Sequence, residues 1–163
     1  MSKEKDKERI LIDAIKHLLQ DNTVVRQMFQ HFNVPVSKLD KMPVEFAKLK
    51  SSAKTKNGQV YLNHKLLDDG DFKDDIMYVV HEACHWLQQH SADNEKYKKY
   101  PDVDYLDLPA EAEAFAFQAA YIADVKGKED AEQYIDELLD FHEFTKGKER
   151  NNKKKELLSR VLE

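Results

Sequence analysis

The sequence predicts an α+β fold: a mainly helical single domain with a short antiparallel sheet beside one buried helix that carries His81 and His85. Three observations predict it. Apolar residues recur at spacings of three and four through much of the chain, the turn Asn57-Gly58 leads into a short strand-like run at 59–63, and 163 residues suit one core rather than two lobes. Residues 1–163 therefore read as one domain, with charged tails at both ends, at about 2–9 and 146–155.

Taken in order, residues 8–20 place Ile10, Leu11, Ala14, Ile15, Leu18 and Leu19 at helical spacing. Residues 23–32 continue with Val24, Val25, Met28, Phe29 and Phe32, so packing helices occupy about 8–32. Asn33-Val34-Pro35-Val36-Ser37 ends the second, because the residue before a proline is pushed out of helical geometry. This pair lacks the basic recognition face of a helix-turn-helix DNA reader. After Pro43, residues 44–49 read as a strand, joined through a polar loop at 50–56 to the strand at 59–63, with Asn57-Gly58 supplying the positive φ of a tight hairpin.

The next helix carries the chemistry. Asp71 offers an N-cap and Asp74 and Asp75 put negative charge in the first turn, so the helix begins near Phe72. Ile76, Met77, Tyr78, Val79, Val80, Ala83, Cys84, Trp86 and Leu87 almost surround its axis, the mark of a helix packed inside the domain. His81, Glu82 and His85 interrupt that apolar run. At about 100° per residue the two histidines stand about 40° apart on one face, within reach of one ion. Glu82 points aside, where it could take a proton from a water at that ion. The plainer alternative is two half-buried histidines hydrogen-bonded to neighbours, but burial disfavours charged groups and Glu82 would need a partner as well. A divalent cation satisfies all three groups at once.

A catalytic zinc takes three protein ligands, so one donor more is needed. Cys84 lies about 60° from His81 and about 100° from His85 round the helix and is read as a small core residue. A second helix, opened by Pro109 and rich in alanine to about residue 123, carries Glu111 and Glu113 in its first turn. Favourable charge at a helix N-terminus accounts for one of them, and metal ligation is the sharper reason for the other.

The pair H-E-x-x-H at 81–85 and E-x-E-A-x-x-F at 111–117 resembles the gluzincin group of zinc metallopeptidases, above all its small members and the branch with the prenyl-protein endopeptidases and phage-type anti-repressor peptidases. The resemblance covers roughly residues 57–125. It implies Zn2+ held by His81, His85 and Glu111, with Glu113 the fallback, and Glu82 as the general base of peptide-bond hydrolysis. It also implies that the strand at 59–63 lies at the rim of the cleft, where an extended peptide adds to its free edge. The longer metzincin pattern is not met: Gln88 and Ser91 stand where it requires Gly and His, and His90 is out of register, a surface residue. Phe115 departs from the several relatives that carry Asp or Asn there, so the acceptor that orients a ligand histidine must come from elsewhere, Asp104 or Asp107. Gln88, on the ligand face, reads as a further hydrogen-bonding partner. The segment 91–107 forms a cleft wall, from which Tyr105 is the first choice to stabilise an oxyanion; His142, on a helix at about 128–144, is the second.

A net charge of −5 gives no electrostatic argument for nucleic acid, and no stretch has the length and purity of a membrane span. The start Met1-Ser2-Lys3-Glu4 lacks a signal-peptide core and the single cysteine excludes an intramolecular disulfide framework, which together suggest a cytoplasmic protein. The expected partner is a peptide or protein substrate. The competing reading is a non-catalytic metal-binding regulatory or interaction protein that retains the fold.

Overall fold

Six helices and one small sheet make up the described residues, 3–67, 72–144 and 147–161, of a computed structural model. Helix α1 (Lys3–Gln20) runs into α2 (Thr23–His31) through a turn in which the Asn22 side chain accepts the Val25 N–H at 3.0 Å, capping α2. Asn33 then takes a positive φ of 58° ahead of the expected break, and a 3-10 segment follows at Val36–Lys41. Lys16 of α1 ties this segment down by donating to the Met42 carbonyl at 2.6 Å.

The α+β class is the observed one, with a mixed sheet of three strands: β1 (Val44–Ala47), β2 (Ala53–Lys56) and β3 (Gln59–Asn63), ordered β1-β3-β2. The segment read as a polar loop at 50–56 contains β2, which pairs antiparallel with β3 across Asn57 (φ 51°) and Gly58 (φ 78°). The strand after Pro43 instead pairs parallel with β3, Val44 opposite Val60. One face of the sheet is apolar, with Phe46, Ala53, Val60 and Leu62 buried, while Lys54 and Lys56 stay exposed. Because β3 is central, both its edges are taken. The edge open to an added strand on the cleft side belongs to β2, a correction to the expectation for 59–63.

Helix α3 (Phe72–Gln89) packs under the sheet; the Asp71 cap lies outside the described residues, and Asp74 of the first turn pairs with Lys126. Helix α4 (Pro109–Lys126) has proline in its first turn and ends at Gly127, whose φ of 107° stops the helix before α5 (Lys128–Phe141). One face of α4, with Ala114, Phe117 and Ala120, closes a core made with α1, α2, α3 and the sheet. The other face, with Ala112, Phe115 and Ala119, joins a second core with Leu106, Ile135, Leu139 and Leu157. Lying between two cores is why this helix is apolar all round.

Of the charged run near 146–155, the described part from Lys148 onwards belongs to a helix, α6 (Lys148–Leu157). Its hold is electrostatic. Lys153, 8% exposed, meets Asp107 at 2.6 Å and Glu156 at 3.1 Å and donates to the Leu106 carbonyl, while Arg150 reaches Asp136 and Asp140. At the other end the charged residues are the first turns of α1. Among the described residues no helix is long and apolar enough to cross a membrane.

Candidate metal centre

His81 and His85 project from successive turns of α3 towards the first turn of α4, where Pro109 starts the helix and sets Glu111 against them. The two Nε2 atoms lie 3.1 Å apart, and each is 3.1 Å from the same oxygen, Glu111 Oε1. His81 and Glu111 are buried, and His85 opens partly onto the surface.

The other ring nitrogens decide what these atoms are. His85 Nδ1 meets Gln88 Oε1 at 2.8 Å, and Gln88 Nε2 donates to the Ala110 carbonyl and to Glu113 Oε1, both at 3.0 Å. Carbonyl and carboxylate only accept, so the amide is oriented and its oxygen faces the ring. His85 Nδ1 must therefore be the protonated nitrogen. His81 has a similar partner: with Gln118 Nε2 donating to the Tyr134 hydroxyl at 3.0 Å, Gln118 Oε1 is left to accept from His81 Nδ1 at 2.9 Å. In the neutral rings both Nε2 atoms are then lone pairs, and they converge with a carboxylate oxygen on one point. Three electron-pair donors at such separations repel unless a cation lies among them. His81, His85 and Glu111 form a buried group able to hold a metal ion.

With no ion among them, rings that also carry a proton on Nε2 donate to the carboxylate instead. Burial alone would raise the Glu111 carboxyl, but those hydrogen bonds from His81 and His85 and the charge of the rings hold it far below the usual carboxylate range. For His85, burial opposes the charged ring, yet the bond and charge of Glu111, with Glu82 and Gln88, raise it above its ordinary value.

Around this group stand the remaining expected residues. Glu82 is buried, and its carboxylate accepts the Thr55 hydroxyl of β2 at 2.9 Å. The Tyr105 hydroxyl donates to Glu111 Oε1 at 2.9 Å; burial and the Glu111 charge push its ionisation well above the ordinary phenol. His142 stacks behind that phenol, ring centroids 5.1 Å apart, so the two oxyanion candidates are neighbours and Tyr105 is the one that reaches Glu111. Glu113 does not join the group: its second oxygen meets His31 Nε2 at 3.2 Å, and Tyr97 also bonds it. Cys84 is buried in the core as expected, and His90 is exposed, bonded to the Trp86 carbonyl.

One expectation holds and one is overturned. Gln88 is the hydrogen-bonding partner its place on that face suggested, at His85 Nδ1, while His81 Nδ1 meets Gln118, and neither Asp104 nor Asp107 serves; Asp107 is engaged by Lys153. Phe115 explains the exchange, since its ring packs edge-on to His81 at 4.5 Å and fills that side with apolar surface. Sequence reasoning missed Gln118, Tyr134 and Thr55. Gln118 did leave a signal: it follows Glu111 by two helical turns on the same face of α4, an amide among alanines and phenylalanines.

A cleft of about 420 Å³ opens beside the group, lined by Thr55, His85, Tyr97, Lys99, Leu108 and Glu111 among others. Set against known proteins, the chain matches no family model, no curated sequence and no solved structure.

Proposed function

We propose that this protein is a zinc-dependent metallopeptidase of gluzincin-like type, with His81, His85 and Glu111 holding the ion and Glu82 serving as general base. The observation that carries the reading is the convergence of two histidine lone pairs and one carboxylate oxygen, at 3.1 Å from one another, on the same cleft as Glu82's partner Thr55. A tetrahedral site with ligand distances of about 2.0–2.1 Å needs its ligand atoms about 3.3 Å apart, close to this spacing. Two imidazoles with one carboxylate suit zinc, and three ligands leave a coordination position for water or substrate.

When bound, zinc supplies Lewis acidity towards a water and towards the scissile carbonyl. The chain does the rest. Glu82 takes the proton of the attacking water and delivers it to the leaving amide nitrogen, its carboxylate held by the hydroxyl of Thr55, which lines the cleft. Tyr105 donates its hydroxyl hydrogen to the oxyanion that develops on the carbonyl. Gln88 and Gln118 hold both Nδ1–H groups, which keeps the Nε2 lone pairs available. The substrate backbone lies along β2. The Asn63 N–H bond to the Ser52 carbonyl, 2.9 Å, marks which pairs are bonded across β2 and β3; by alternation Lys54 and Lys56 bond inward and the backbone groups of Thr55 face outward.

Protein purified without added metal is expected to carry close to one zinc per chain, lost in His81→Ala and kept in Glu82→Gln. A wild type free of divalent metal would sink the zinc centre. In a screen of proteome-derived peptides the wild type should cleave and Glu82→Gln should not; cleavage surviving in that variant contradicts the assigned base. A second reading, a metal-binding regulator without turnover, has one contact in its favour, the Tyr105 hydroxyl bonded to a ligand oxygen rather than free in the cleft. Metal retained by wild type with no cleavage of any library peptide would select it.

A further inference from the structure

The molecule is acidic overall, but its sheet is not. Between Glu45 and Asp68 stand five lysines and no acidic residue, in a chain of net charge −5. Strand β2 concentrates this charge at its uncovered edge: Lys54 and Lys56 are exposed on the outer face, while Thr55 between them turns to Glu82 and the cleft. Lys54 sits over the Tyr61 ring, 5.6 Å from its centre, which holds the ammonium on that outer face. Across the cleft stand Lys98 and Lys99; Lys98 is paired with Glu95 at 2.7 Å, and Lys99 has no carboxylate partner among the described residues.

We propose that the β2 edge docks an extended acidic peptide segment, with acidic side chains two residues apart set against Lys54 and Lys56. The proposal rests on the peptidase reading only in taking this edge as the substrate's side of the cleft; docking itself requires no turnover. The register follows from the strand. A peptide pairing with the outward N–H and C=O of Thr55 turns the residue opposite Thr55 towards the cleft. The residues on either side of it lie opposite Lys54 and Lys56 and share their face, where opposite charges on neighbouring strands attract. The remainder of the surface, net negative, repels such a peptide, so the lysine-bearing edge also steers its approach. Shape argues for a peptide over nucleic acid: the cations sit on alternate residues of one free strand edge, a spacing that an extended chain matches residue by residue.

The test uses the full chain as Glu82→Gln, so that binding is read without cleavage, and fluorescence anisotropy of labelled peptides. An extended peptide with Glu at alternate positions is expected to bind about tenfold tighter than its Gln counterpart, the sum of two exposed ion pairs, and to weaken with salt. Methylating its alternate backbone amides should abolish binding, which charge attraction alone would not require. Adding Lys54→Glu and Lys56→Glu, both exposed positions, should reverse the preference towards a peptide with Lys at the same places, a gain that a misfolded variant could not give. Equal affinity for the Glu and Gln peptides, or a preference unmoved by the charge reversal, overturns the proposal. Tighter binding of a single-stranded oligonucleotide or of phosphatidylserine vesicles than of the acidic peptide overturns it too. If the wild type cleaves none of these peptides while Glu82→Gln binds the acidic one, the peptidase reading fails and the docking edge stands.

Discussion

The two histidines of the centre are chemically alike and held in opposite ways. His81 is backed by Gln118, 1% exposed, and then by Tyr134, a short chain that ends in the second core. His85 is backed by Gln88, which answers to the Ala110 carbonyl and to Glu113, and Glu113 passes the contact on to His31 near the surface. Both amides are buried, Gln118 1% and Gln88 2% exposed, so what differs is where each chain leads, inward to Tyr134 or outward to His31. The group so built has an inner half at His81 and an outer half at His85, and the outer half faces the cleft.

Removing a ligand should erase the difference. His81→Ala, His85→Ala and Glu111→Ala are each expected to weaken zinc binding by about a thousandfold, measured by competition with a chelating dye. Glu113→Ala should leave most of the affinity. Comparable losses at Glu111 and Glu113 would break the ligand assignment. The next effect separates the halves. Gln118→Leu and Gln88→Leu should each cost about 10–100-fold in zinc affinity. Gln118→Leu should also destabilise the metal-free protein by about 1–3 kcal/mol, because it strands the buried His81 Nδ1 without a partner. For Gln88→Leu the stability loss is expected to be smaller, since Glu113 retains His31 and Tyr97. Equal thermal shifts in the two variants would show that the halves are not distinct.

How much of this could be read beforehand follows from where each signal lies. Helix α3 was legible because its apolar residues surround the axis and only His81, Glu82 and His85 interrupt them among the positions that line the centre. Helix α4 was legible from Pro109 and its alanines, and the place of Glu111 beside His81 and His85 from the resemblance that its spacing to Ala114 carries. Strand β2 was not, because Ala53 is the only apolar residue it turns inward and its lysines read as a loop. Helix α6 was missed for a related reason: Leu157 is its one fully buried apolar residue, and its other anchors, Asp107, Asp136 and Asp140, are distant in sequence. Of the partners of the histidines, Gln88 was legible from its place on the ligand face, but the other was sought among acids. A buried site next to Phe115 instead employs carboxamides, which orient an imidazole without bringing a further charge into the interior.

Acidity probes the outer half more gently. In the metal-free protein Glu111 is depressed, so its contribution to stability is present above its ordinary value of 4.5 and is lost as pH falls towards the folded-state value. His85 is raised, so its contribution is complete below 6.5 and is lost as pH rises through its folded-state value. Chelator-treated protein should therefore lose thermal stability as pH rises from 6.5 through the His85 folded-state value, and His85→Ala should flatten that slope. Zinc requires the neutral ring, so the stabilisation gained from added zinc should grow over the same interval. A metal-free melting temperature that is level across it, or a slope unchanged in His85→Ala, removes the outer histidine as its source.

The smallest effect is expected at the far end of the outer network. Glu113→Gln keeps an acceptor for Gln88 and for Tyr97 but removes the charge that draws His31, so zinc affinity should fall only about two- to fivefold, the size of a partly exposed ion pair. His31→Ala should do no more than that, and the double variant should equal the stronger single one, because both substitutions cut the same link. Additive losses would mean that His31 and Glu113 act on the centre separately. They would also mean that the path from His85 through Gln88 is not the one that carries the coupling, and that the surface end of the network reaches the metal through α2 and the core instead.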